Sequence, residues 1–205
     1  MQKENIFTIC ASGNKEALVN LIEKSDDKLT LLSTKCSDGK SMLEIAACFG
    51  RINIIEELVK NGLKLEDKSE RGYTLLHWCA CWGHTEVINY LCNINVIDIY
   101  QANIFEETAK HIALRYNKGD CGQLLEKYEF LASLRDYLTK CKQITTDPDK
   151  NMGRLTKFDK TSINKHCEEK LEWMKQNREN ATSEQIKEKQ HELEHQLEVI
   201  FNKLK

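Results

Sequence analysis

Apolar residues recur three and four positions apart in short runs, and glycines separate the runs. Met42–Phe49 is one such run, Gly50 breaks it, and Asn53–Lys60 is the next. Leu75–Trp82, Gly83 and Glu86–Cys92 repeat the arrangement. This spacing marks a helix with one apolar face, so each pair predicts two short helices around a tight break. The pairs are one unit displaced by 33 residues. Gly39-Lys40-Ser41-Met42-Leu43 aligns with Gly72-Tyr73-Thr74-Leu75-Leu76, and Ala47-Cys48-Phe49-Gly50 with Ala80-Cys81-Trp82-Gly83. Ile55 aligns with Ile88, and Leu58 with Leu91. A fixed period of this length predicts stacked supersecondary units, each burying its apolar face on its neighbour. Gly62 reads as the stop of one outer helix.

Two weaker units flank these. Downstream, Ala109 aligns with Leu76, Ala113 with Ala80 and Leu124 with Leu91, while Tyr116 stands in the place of the break glycine. Upstream, Gly13 and Leu21 keep the interval of Gly50 to Leu58, and Asp26–Cys36 is an insertion before the second unit. End units that depart from the pattern suit a capped stack.

Gly72, Thr74, Leu76, His77, Ala80 and Gly83 resemble the ankyrin-repeat pattern. Leu75 stands where that pattern has proline, and Glu44 where it has histidine. The resemblance covers 4–128. It implies turn hydrogen bonds for Thr74 and His77, with a structural role for the histidine. It also implies protein binding through the variable positions of the inner, concave helices. These are Ile45, Cys48 and Phe49, then Trp78, Cys81 and Trp82, then His111, Leu114 and Arg115. Two units thus carry aromatic and aliphatic groups where solvent favours polar ones. Contiguous exposed apolar surface marks interaction sites, and Trp and Arg are enriched among binding hot spots. Two other readings stay open: Trp82 folding over Phe49, and the C-terminal part of the chain docking on this face.

The period stops near Tyr128, and 129–205 is expected to form a helical bundle. Leu131, Leu134, Leu138 and Cys141 form a helical stripe. Thr145–Gly153 reads as a loop. A second helix starts at Thr156, with Asp159 completing a capping box, and buries Ile163, Cys167, Leu171 and Met174. A third follows Thr182, capped by Gln185, and buries Ile186, Leu193, Leu197, Ile200 and Leu204. The order Asp159, Ile163, Cys167, Trp173-Met174, Ile186, Lys189, Glu192-Leu193-Glu194 and Lys203 is similar to the C-terminal lid of seventy-kilodalton heat-shock chaperones. There is no room for that family's ATPase domain or peptide-holding sandwich, and its acidic tail is absent, so ATP-driven chaperoning is not implied. Ankyrin units joined to such a bundle resemble a small group of non-enzymatic cytoplasmic factors linked to cell division and ciliated cells.

Composition narrows the classes further. One proline in 205 residues agrees with an all-α chain. A net charge of −2, spread over both parts, gives no reason to expect a nucleic-acid partner. Neither an apolar leader nor a membrane-length apolar run occurs, so the expectation is cytoplasmic, with no membrane partner. Nine scattered cysteines without a CxxC pair read as reduced thiols filling small core positions. His191-Glu192-Leu193-Glu194-His195 matches HExxH, whose two histidines could hold zinc on one helix face. Here Leu193 belongs to the buried stripe, Glu194 adds a charge inside the motif, and no third ligand follows. Asp147–Gly153 offers oxygens in a calcium-loop order, but Phe158 stands where a bidentate glutamate is required. The expectation is therefore a non-enzymatic adaptor that binds another protein and takes no metal, cofactor or small-molecule substrate. The alternative is a chaperone-associated factor whose bundle contacts chaperones or unfolded chains.

Overall fold

The computed structural model describes residues 5–94, 97–151 and 153–204. Met1-Gln2-Lys3-Glu4, read above for a leader, and Met152 of the candidate calcium loop lie outside them. The described residues form helices and turns with no strand. The chain separates into two compact units, Met1–Leu125 and Glu126–Lys205.

The first unit repeats helix pairs: α1 (Ile6–Ser12) with α2 (Lys15–Glu23), α4 (Met42–Cys48) with α5 (Ile52–Lys60), and α6 (Leu75–Trp82) with α7 (Thr85–Asn93). Then come α8 (Ala109–Arg115) and the start of α9 (Gly119–Thr146). The insertion carries α3 (Lys28–Ser33), capped by Asp27, whose carboxylate accepts the Thr30 amide at 3.0 Å. The inner helices stack in order: α1 packs on α4, α4 on α6 and α6 on α8. Leu18, Ile55, Leu58, Leu76, Ile88, Leu91 and Leu125 are fully buried between the layers. Leu21 is half-buried, and Leu18 and Ile22 fill the first unit's core instead.

The fourth repeat corrects the sequence register. The turn of the second repeat closes with the Cys36 amide on the Lys40 carbonyl at 2.9 Å, and that of the third with the Ser69 amide on Tyr73 at 3.0 Å. The fourth closes with the Asn103 amide on Glu107 at 3.0 Å, one residue later than a 33-residue period allows. Gly72 (φ 74°) is therefore matched by Glu106 (φ 60°), and Gly83 (φ 87°) by Asn117 (φ 54°) rather than by Tyr116. Likewise Leu91 corresponds to Leu125, fully buried, while Leu124 is half-buried. Asparagine tolerates the left-handed region better than most residues because its short side chain can bond locally, so Asn117 can stand where the third repeat has Gly83.

The second unit holds the rest of α9, α10 (Pro148–Asn151), α11 (Lys157–Asn177), α12 (Ser183–Phe201) and a final 3-10 turn, Asn202–Leu204. The expected loop from Thr145 is shorter than read: α9 runs to Thr146, and Pro148 opens one helical turn, a position where its missing N–H costs nothing. Asp147 caps that turn by accepting the Asp149 amide at 3.0 Å. Both capping boxes form, Thr156 with Asp159 and Thr182 with Gln185. Leu131, Leu134, Leu138, Cys141, Ile163, Cys167, Met174, Ile186, Leu193 and Leu197 make the core. Leu171, Ile200 and Leu204 are half-buried at its edge. α11 packs on α12, and Lys203 closes their far end by donating to both Asp159 oxygens at 2.8 and 2.9 Å.

Candidate functional site

From the second repeat to the fourth, a hydroxyl N-cap and the third residue of the inner helix hold the start of that helix. Ser41 and Glu44 form a reciprocal capping box at the start of α4. At α6, the Thr74 amide and hydroxyl both donate to His77 Nδ1, at 3.0 and 2.9 Å. That assigns the ring proton to Nε2, which donates to the Glu107 carbonyl at 2.9 Å. His77 is fully buried, and burial pushes its pKa below the ordinary value, against the opposing pull of Glu107. It therefore ties the third repeat's turn to the fourth's, as a neutral imidazole. His111, expected on the binding face, caps α8 instead, its Nδ1 accepting the Thr108 amide at 3.1 Å.

Between these turns and the inner helices lies a groove of about 550 Å³ centred on Trp78. The Trp78 indole N–H donates to Glu44 Oε1 at 3.0 Å, while Glu44 Oε2 accepts the Ser41 amide at 2.8 Å. Tyr73 stacks on the Trp78 ring, centroids 5.1 Å apart, and Lys40 Nζ stands 5.1 Å from the ring centroid. Arg115 holds Glu107 at 2.9 Å and lies over Tyr116.

Of the residues expected here, the structure brings Trp78, Cys81 and Arg115 together in the groove wall. Phe49 and Trp82 are 51% and 58% exposed and do not line it, and Ile45 is half-buried. Cys48 is buried; burial pushes its thiol up to about 11, with Lys40 and a hydrogen bond from Trp82 acting the other way. Trp82 thus reaches the preceding repeat while keeping most of its ring in solvent. The one-residue register shift moves the fourth repeat's inner positions from His111 and Leu114 to Ile112 and Tyr116, both of which line the groove. Leu114 turns toward Gly122 instead, 3.3 Å from where a Cβ would sit.

The sequence reading missed Tyr73, Lys40 and Arg71, because it considered helix positions and not the turns. Their signal was the turn itself, which places a side chain at a fixed offset from Gly39 and Gly72. In the second unit, His191 and His195 are exposed, Leu193 is fully buried, and Glu192 is bound by Lys170 and Lys189. No cluster of three His, Cys, Asp or Glu side chains among the described residues is arranged to hold a metal.

Repeated turns, histidine caps and stacked inner helices define a class. The ankyrin-repeat profile, three copies, matches residues 6–103 and 61–136, and the chain belongs to the ankyrin-repeat family. Ankyrin repeats serve protein–protein interaction and are in general non-enzymatic. The chain is similar to human Ankyrin repeat domain-containing protein 45, with 32% identity over 207 residues, spanning 98% of this chain and 77% of that protein. The zebrafish protein of the same name is 31% identical over 119 residues, 58% of this chain and 52% of its own length. The mouse one is 36% identical over 71 residues, 35% of this chain and 29% of its own length.

Proposed function

We propose that the chain is a non-catalytic adaptor that seats a protein partner in the Trp78 groove and leaves its C-terminal bundle for a second partner. The observation that supports this is the prearranged aromatic floor. Trp78 is fixed from below by Glu44 and from the side by Tyr73, so little side-chain freedom is lost when a partner covers it. Neither ring is needed to close the core, which is filled by other side chains. A cytoplasmic location, with a role in dividing or ciliated cells, belongs to the same proposal. The nine cysteines, all free thiols, support the location, and imaging of the tagged chain tests both.

The experiment is affinity capture from cells with the full chain and with its Tyr73→Ala, Tyr116→Ala variant, both checked for unchanged helicity. Loss of a stoichiometric partner from the variant supports the groove. Unchanged capture refutes it. Capture by 129–205 alone, together with suppression of aggregation, would favour the chaperone-associated alternative.

A further inference from the structure

We infer that the Trp78 groove selects an acidic partner segment that carries a bulky apolar side chain. This rests on the reading above and adds the partner's chemistry to it. The groove is lined by four cations, Lys35, Lys40, Arg71 and Arg115, and by three carboxylates, Asp38, Glu44 and Glu70. Glu44 is not available to a ligand. It is buried, and its two oxygens are taken by the Trp78 indole and the Ser41 amide. Arg115 gives one nitrogen to Glu107, yet its side chain is 49% exposed and has further N–H groups to offer. Lys35 and Arg71 are exposed and make no ion pair among the described residues. Glu44 keeps its charge, because both of its donors are neutral, and Arg115 is paired with Glu107. Among the described residues, three lining cations make no ion pair, Lys35, Lys40 and Arg71, and they face two exposed carboxylates, Asp38 and Glu70.

Lys40 explains how acid and apolar groups would be read together. Its ammonium rests over the face of Trp78, where the ring quadrupole holds a cation that has no carboxylate partner among the described residues. A carboxylate from an incoming segment competes for that ammonium and draws it off the ring. The exposed face then takes an apolar side chain. The indole N–H is already committed to Glu44, so Trp78 offers that side chain packing rather than a hydrogen bond. A basic segment gains neither effect: it meets the cationic rim and leaves Lys40 in place.

The test uses two fluorescein-labelled synthetic peptides, alike except that glutamates flank a central phenylalanine in one and lysines in the other. Each is titrated into the full chain by anisotropy. The acidic peptide should bind about tenfold tighter and weaken as salt is raised. Lys40→Glu, Arg71→Glu, both on side chains outside the core, should weaken it by about tenfold and reverse the preference. Equal or tighter binding of the basic peptide, binding of neither, or displacement of the acidic peptide by a single-stranded RNA at lower concentration would each overturn the assignment. The two readings fail separately. If Tyr73→Ala, Tyr116→Ala releases the cellular partner while Lys40→Glu, Arg71→Glu retains it, the groove is the interface and the acidic assignment is wrong.

Discussion

His77→Ala should be among the most damaging single substitutions in the repeats, for a reason that can be worked from its three hydrogen bonds. The change removes the acceptor of the Thr74 amide and hydroxyl and the donor to the Glu107 carbonyl. Thr74 is 3% exposed, so water cannot take over on that side. Each buried group left unpaired costs about 1–3 kcal/mol, and the vacated ring leaves a cavity in addition. The expected loss is about 3–5 kcal/mol, a large share of the roughly 5–15 kcal/mol that stabilises a domain. His111→Ala is the control. It breaks the same cap geometry at Thr108, but His111 is exposed and water replaces it, so the loss should stay near 0.5–1 kcal/mol, or about that of an ordinary cap. Urea unfolding of the full chain, followed by tryptophan fluorescence, compares the two midpoints. Equal losses, or a loss for His77→Ala under about 1 kcal/mol, would refute the reasoning that burial makes this bond set costly to break.

Acidification should weaken the same contact. Burial holds folded His77 below its ordinary pKa of 6.5, so between that value and the folded one the unfolded chain binds more protons. Its contribution is fully present above pH 6.5 and declines as pH falls below it; urea midpoints on either side of that pH should differ, and less so in His77→Gln. Asp159 is held at about 2, down from 3.8, by the Lys203 ammonium first and then by the Thr156 amide and hydroxyl. Its share of stability is present above 3.8 and lost as pH falls toward 2; a carboxylate NMR titration should show this, with the value rising in Lys203→Ala. Gly50→Ala should cost more than Gly39→Ala, although both sit at positive φ, 70° and 75°. A Cβ on Gly50 would lie 2.7 Å from the His84 ring, itself bonded to the Cys48 carbonyl at 2.8 Å, whereas Gly39 faces open space. Only the backbone strain of about 1–2 kcal/mol should appear at Gly39, and thermal unfolding of the two variants separates the cases.

The repeats were legible because their signal is local. Ser41 and Thr74 open helices, Gly50 and Gly83 end them, and apolar spacing between these points names the buried face. The fourth repeat was harder, because the extra residue lies in a connection whose length sequence alone does not constrain. Glu106 and Asn117 occupy the left-handed positions that Gly72 and Gly83 hold in the third repeat, so a register keyed to glycine falls one residue early and puts His111 and Leu114 on the inner face in place of Ile112 and Tyr116. The capping signal Thr108-x-x-His111, matching Thr74-x-x-His77, carried the correct register. Capping boxes and leucine spacing carry the bundle; the turn at Pro148 is not legible in them, and Leu171, Ile200 and Leu204 sit half-buried at the edge where the spacing places them in the core. The groove itself was half legible. Trp78 stood out as a bulky residue at a variable position, but Glu44 beneath it and Lys40 above it belong to the neighbouring repeat, and their meeting is tertiary.

Hydrogen–deuterium exchange of the full chain, free and with its captured partner, tests the central claim most directly. Binding in the groove should slow exchange in 36–40, 69–82 and 112–116 together, since these segments wall one cavity. Protection confined to 129–205, with those three segments unchanged, would contradict it.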